Sequence, residues 1–200
     1  MANGKSFWSN PSLDPKRQYR FLVNFGNLGA DEYIAKSVKK PSFQVGVSKH
    51  QFLSHEFKYP TSVKWNDVQI TLVDPGSPDM TATLLAALAT AGYKYPSAYP
   101  TGGEPGKYST VSKARFSGTG DGGSTAGALG QILIKQIDAE GNVIEEWTLK
   151  NSFISTVEFG QLSYASEDMV DITMTVVYDW ATLDRATPSQ AGTNKALPPK

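Results

Sequence analysis

The fold class is decided by residues 131–149: Gln131-Ile132-Leu133-Ile134-Lys135-Gln136-Ile137, then Asp138-Ala139-Glu140-Gly141-Asn142, then Val143-Ile144-Glu145-Glu146-Trp147-Thr148-Leu149. Two runs rich in β-branched and aromatic side chains flank a polar, glycine-containing connection too short for a crossover, which predicts an antiparallel hairpin. Phe153 to Phe159 and Met169 to Trp180 repeat the signal, giving four strand-like runs on short connections and hence an antiparallel meander. In the last run Ile172, Met174, Val176, Tyr178 and Trp180 share a face by period-two alternation, which assigns Trp180 to the core.

Strand signals continue toward the N-terminus. Tyr19 to Phe25 is aromatic and β-branched and ends at the Gly26-Asn27-Leu28-Gly29 cluster. From Phe43 to Phe57 the odd positions favour apolar residues and the even ones polar residues, predicting one long strand, or two parted by a bulge near Ser48 to Gln51. Tyr59-Pro60-Thr61 reads as a turn into a half-buried strand where Val68, Ile70 and Leu72 alternate with Asp67, Gln69 and Thr71. Ser77-Pro78 and Gly92 bound an Ala/Leu-rich helix over 78–91, with Leu84, Leu85 and Leu88 as its buried face. Residues 93–130 are rich in Pro and Gly and predict a long loop, interrupted by a short strand candidate at Ser109 to Phe116. The expected organisation is an N-terminal arm (1–18), a β domain (19–183) carrying that insertion, and a C-terminal arm (184–200). The fold class is therefore mainly β, an antiparallel barrel or sandwich with one short helix.

Composition narrows the chemistry. The 200 residues, 40% of them hydrophobic, suffice for one buried core. Cysteine is absent, which excludes disulfides, zinc ribbons and thiol nucleophiles. Nineteen Lys and Arg balance nineteen Asp and Glu, which argues against a strongly basic nucleic-acid binder. The balance hides a gradient: residues 1–60 carry +5, 61–130 carry 0 and 131–200 carry −5. The N-terminus runs into Phe7-Trp8-Ser9-Asn10 without an apolar core, so no signal peptide is read, and Leu84 to Ala89 is far short of the roughly 20 residues of a membrane span.

Catalytic and ligand motifs are weak. His50 and His55, five residues apart on one strand, face opposite sides and offer no ligand pair. Gly118-Thr119-Gly120-Asp121-Gly122-Gly123 matches a dinucleotide-binding pattern in spelling, but more glycines and then strand-like residues follow it where a helix is needed. The doublets Glu145-Glu146 and Glu167-Asp168 place neighbouring carboxylates on opposite faces, unsuited to paired acid and base work. Trp65, Trp147 and Trp180, with Tyr164 and Tyr178, are candidates for a carbohydrate groove, although packing is the commoner use of such residues.

Several segments, in the same order, resemble the tail tube protein family of contractile-tailed bacteriophages. They are Ser37-Val38-Lys39-Lys40-Pro41-Ser42-Phe43, Tyr59-Pro60 with Val63-Lys64-Trp65-Asn66-Asp67-Val68, and Val73-Asp74-Pro75. Later come Glu146-Trp147-Thr148-Leu149-Lys150-Asn151, Val157-Glu158-Phe159-Gly160-Gln161-Leu162-Ser163-Tyr164 and Tyr178-Asp179-Trp180-Ala181. The resemblance covers roughly Lys16 to Leu183 and implies a structural protein with no catalysed reaction and no cofactor. It implies homohexameric rings stacked head to tail, with subunit sheets joined into one continuous barrel. The implied partners are the tail sheath, baseplate or tail initiator, tail terminator, tape measure protein, and double-stranded DNA in the lumen without sequence-specific binding. The implied place is the virion, assembled in the host cytoplasm, with no membrane anchor.

About four strands from each of six copies, about 4.8 Å apart and tilted about 45°, give a barrel of about 50 Å backbone diameter, room for a duplex. A lumen for DNA favours polar, non-basic side chains, because lysine and arginine bind phosphate. Asp67, Gln69, Thr71, Thr156, Glu158, Asp171, Thr173 and Thr175 fit that description on the non-core faces of their strands. Contacts between subunits or rings are expected at Lys39, Lys40, Phe43, Lys49, His50, Phe52, His55, Tyr59 and Trp65. The readings that compete are the tube of a related contractile injection device with protein cargo, and a monomeric β-sandwich carbohydrate-binding module.

Overall fold

The computed structural model describes residues 15–28, 34–94, 110–118, 127–165 and 167–185. They form a β-sandwich with a projecting hairpin. Strand β1 (Phe21–Phe25), β6 (Ile132–Ile137), β7 (Val143–Lys150) and β10 (Trp180–Arg185) make one antiparallel sheet in the order β1-β6-β7-β10. Strand β2 (Ala35–Val38), β5 (Val68–Val73), β9 (Asp171–Val177) and β8 (Phe153–Glu158) make a second, in the order β2-β5-β9-β8. Strands β3 (Ser42–Phe52) and β4 (His55–Asn66) pair only with each other.

Alternation builds the core. Val68, Ile70 and Leu72 on β5 and Ile172, Met174 and Val176 on β9 are wholly buried, and they meet Val23, Ile132, Ile134 and Leu149 of the facing sheet in one cluster. At roughly 25 cal/mol per Å² of apolar surface removed from water, this cluster is the main source of stability. The hairpin of β6 and β7 forms as predicted, its turn held by Asp138, whose carboxylate accepts from the backbone of Glu140 at 2.9 Å and of Asn142 at 2.8 Å.

The meander expectation is corrected: after β7 the chain crosses to the other sheet, so β8 pairs with β9 and β10 returns beside β7. Asn151, at φ 56°, turns the chain between β7 and β8, and its side chain donates to Asp179 at 2.9 Å. The run to Trp180 is likewise two strands: the break at Tyr178-Asp179 sends Trp180 into the other sheet, 45% exposed and outside the core. Tyr178 itself is buried, and its hydroxyl donates to the carbonyl of Asn66 at 2.8 Å.

Helix α1 (Met80–Thr90) starts two residues later than predicted, because Asp79 rather than Ser77 caps it, accepting from the Ala82 N–H at 3.0 Å. Asp74 reinforces the start, accepting from the Met80 N–H and the Thr81 hydroxyl. Its buried residues are Met80, Leu84 and Ala87, a stripe of spacing four and three that leaves Leu85 exposed and Leu88 at its margin, so the expected Leu84-Leu85-Leu88 face is corrected. The strand candidate at Ser109 to Phe116 is a second helix, α2 (Lys113–Ser117). Ser112 caps it and Gly118, at φ 75°, stops it, so local capping overrides the β-like spelling. Gly118 therefore ends a helix instead of opening one, and residues 119–126 of the glycine run lie outside the described residues.

Candidate assembly surfaces

Four features of the described residues bear on assembly: a polar sheet face, the two open edges of that same sheet, the projecting hairpin and a lysine-rich groove. The polar face belongs to β2-β5-β9-β8. Its register sets Thr156 against Thr175 and Thr175 against Gln69, while Glu158 faces Thr173 and Thr173 faces Thr71, with Ser37 beyond. Asp171 closes the row opposite Val73, and Asp67 stands one residue before β5, exposed. The fold thus brings seven of the eight residues expected at a lumen onto one surface and sets Asp67 at its end. Strand β2 has no clear sequence signal, being four residues with Lys36 in the middle, and it adds a cation to this face: the Lys36 ammonium lies 2.6 Å from Asp171.

Strands β2 and β8 are the two ends of this sheet. Because β2, β5, β9 and β8 alternate in direction, the two open edges run in opposite senses. A short, lysine-bearing edge such as β2 is a known guard against uncontrolled pairing.

The hairpin carries much of the exposed apolar surface. A two-residue turn at Leu53-Ser54, with Leu53 at φ 53°, joins β3 to β4. Two sequence expectations are corrected here. Tyr59-Pro60-Thr61 is no turn but lies within β4, an edge strand, with Pro60 beside the bulge, positions where a strand tolerates proline. The bulge sits between Val45 and Val47, opposite Pro60 to Val63, and not at Ser48 to Gln51. Gly46 permits it, since a Cβ there would stand 2.4 Å from the Thr61 hydroxyl.

The bulge decides which side chains share a face. At the root, Phe43 opposes Trp65 and Val45 opposes Val63; nearer the tip, His50 opposes Phe57, Phe52 opposes His55, and Ser48 opposes Tyr59. Along β3 the root pair positions are odd and the tip positions even, so the apolar surface changes sides part-way along the arm. His50 and His55 consequently lie on one face, not on opposite faces, because the turn intervenes between them.

Of the residues expected at contacts, Lys49, His50, Phe52, His55 and Tyr59 are exposed on the hairpin, with Lys49 3.2 Å from Glu56. Lys39 is exposed just after β2. Phe43 and Trp65 stack edge-on at 5.4 Å, and Trp65 lies 6.0 Å from Tyr178, so these rings fix the hairpin root to its own sandwich. Lys40 is likewise engaged by its own sandwich, although it and Phe43 remain exposed.

Lys40 meets Glu145, which the sequence marks only as half of the Glu145-Glu146 doublet. This carboxylate, its side chain 8% exposed, receives the ammonium groups of both Lys16 and Lys40, while Lys40 also donates to Gln136. Burial opposes its ionisation, but the hydrogen bonds and charges of the two lysines outweigh burial and hold its pKa at about 2. Glu145 forms part of the wall of a groove of about 640 Å³ between β2 and the β1-β6-β7 sheet, lined also by Lys36, Lys135, Tyr19, Phe21 and Trp147. Trp147 therefore belongs to this groove, Trp65 to the hairpin root and Tyr164 to an exposed loop, so the three do not form a common ligand platform. Glu167 and Asp168 also lie in that loop, the β8–β9 connection, and not on a strand.

This sandwich has counterparts of known structure. The chain is similar to a chain of the anti-feeding prophage baseplate, solved with six-fold symmetry, at 13% identity over 86% of this chain and 97% of that one, TM-score 0.59. The fold is one used in contractile injection systems. It is similar also to the tube terminating cap of the anti-feeding prophage, at 16% identity over 93% and 100% of the two chains, TM-score 0.58. A third similarity is to the sheath-tube complex of an extracellular contractile injection system in its extended state, at 15% identity over 86% and 93%, TM-score 0.54. No family model matches the chain and no curated protein matches it in sequence. Among the described residues, no helix is long and apolar enough to cross a membrane.

Proposed function

We propose that the chain is the tube subunit of a contractile apparatus, six copies forming a ring and rings stacking head to tail into a conduit. The observation that carries this reading is the β2-β5-β9-β8 sheet, with a buried face, a polar face and two open edges of opposite direction. Placing β2 of one copy beside β8 of the next continues an antiparallel sheet without a break in alternation. Four strands per copy and six copies give 24 strands and a barrel of about 50 Å diameter. The polar rows of threonine, glutamine and acidic residues then face inward, with Lys36 neutralised by Asp171.

In a phage tail the conduit carries the genome, with tape measure protein and double-stranded DNA inside, sheath outside, and baseplate and terminator proteins at its ends. The kinship of fold with extracellular contractile systems supports a second reading, in which the cargo is protein. The nucleic-acid content of particles containing the chain separates the two. Negative-stain electron microscopy of the purified protein tests what they share: rings or tubes with an inner wall of about 50 Å backbone diameter are expected, and a protein that stays monomeric under all assembly conditions sinks the reading.

A further inference from the structure

The groove and the β8–β9 loop are complementary in charge, and both present apolar side chains. The groove is lined by Lys16, Lys36, Lys40 and Lys135; Lys16 and Lys40 share the carboxylate of Glu145 and Lys36 meets Asp171, which leaves the lysines in excess, and Tyr19, Phe21 and Trp147 supply an apolar wall. The loop leaves β8 at Glu158 and enters β9 at Asp171, with Glu167 and Asp168 but no lysine or arginine along it. It also holds out large apolar side chains: Leu162 is 82% exposed, Met169 75%, and Tyr164 entirely. Exposed anchors of this size on an acidic loop are typical of interface contacts rather than of solvated turns.

Position favours the same pairing. Within one copy the loop ends at Asp171, which touches Lys36 on β2, so loop and groove lie toward the same end of the sheet, one at its β8 edge and the other behind its β2 edge. Copies joined edge to edge bring the loop of one to the groove of the next.

We propose that the β8–β9 loop of each copy docks into the lysine-rich groove of its neighbour, with Leu162 and Tyr164 against the aromatic wall and Glu167 and Asp168 facing the lysines. The inference rests on the ring reading and specifies the contact that locks it. Residues 1–14, which precede Lys16 in sequence, are a competing occupant, but their one lysine and one aspartate give no acidic excess to match the groove.

The chain contains no cysteine, so introduced thiols report without background. In a chain carrying Gln18→Cys and Tyr164→Cys, a thiol-bridging reagent applied to assembled protein is expected to give a ladder of covalent oligomers ending at the closed ring. A companion test reverses charge. Lys36→Glu with Lys135→Glu, or Glu167→Lys with Asp168→Lys, should each raise the concentration needed for assembly by at least about tenfold, because like charges then meet. Mixing the two reversed chains should restore assembly, since each loop again finds an opposite groove in an alternating ring. Rings that form without bridging, and reversed chains that assemble like the parent, overturn the docking and leave the tube reading standing. Bridging of Gln18→Cys to Trp8→Cys within one chain, in place of Tyr164→Cys, assigns the groove to the chain's own start and also overturns it. A parent chain that never assembles overturns both.

Discussion

Glu145 shows how one side chain can fix the direction of a whole arm. Lys40 stands two residues before β3, so its bond to Glu145 ties the hairpin root to β7, while Lys16 ties down the segment entering β1. The sign of the pH effect follows from the depressed pKa. The ionised group's contribution is complete above the ordinary carboxylate value of 4.5 and is lost as pH falls toward about 2. The ammonium partners are 40% and 47% exposed, so solvent screening reduces the effect to on the order of 2 kcal/mol. Glu145→Gln should therefore lower stability near neutral pH by about that amount and flatten the acid-unfolding curve between about pH 5 and 2. Equal acid sensitivity of variant and parent in urea titrations would show that the clamp contributes nothing. A sequence does not disclose such a clamp: Glu145 reads as one half of a doublet, and its lysines lie 129 and 105 residues away.

At the scale of elements, the hairpin exposes large apolar side chains that add little to the core. Phe52 and Phe57 are 60% and 48% exposed. Replacing both with serine should change the thermal stability of the isolated chain by no more than about 0.5 kcal/mol, while preventing rings from stacking into tubes, as sedimentation or electron microscopy would register. Tubes of normal length from that variant would remove the hairpin from the stacking contact. Of the strands legible in advance, β8 showed through its β-branched spelling, and β1, β5, β6, β7 and β9 keep their alternation through a buried face. Those misread lacked one. The hairpin has solvent on both sides, so its periodicity did not locate the turn at Leu53-Ser54, and Pro60 imitated a turn that an open edge does not require. Helix α2 was hidden because Ser112 and Gly118 define it by capping, over only five residues.

For the whole molecule, the polar sheet face was legible residue by residue but not as a surface, because register between β5, β8 and β9 is a tertiary fact. Changing the face should leave the fold untouched. Thr156→Lys with Glu158→Lys, both at exposed positions, is expected to preserve ring formation yet make the assembled tube retain short duplex DNA. That retention should fall with salt at a logarithmic slope of about −0.9 for each phosphate contacted. Absence of any retention would place the face outside the lumen. The charge gradient belongs to the same scale: +5 over residues 1–60 and −5 over 131–200. Contacts between the basic front of one copy and the acidic back of another should make assembly weaken as ionic strength rises, most steeply below about 0.15 M, where the screening length exceeds about 8 Å. Light scattering during a salt series measures it, and indifference to salt would dismiss the gradient as a driver.

The two open edges of the β2-β5-β9-β8 sheet also govern how a ring would come into being. Any arc of fewer than six copies keeps one unpaired β2 and one unpaired β8, so each addition satisfies one edge and exposes another of the same kind. The closing copy alone satisfies two edges at once, and for it the second contact forms within a single particle, at an effective concentration in the millimolar range. Arcs are then scarce intermediates, and population divides between single chains and finished rings. Growth of this kind starts slowly and completes abruptly.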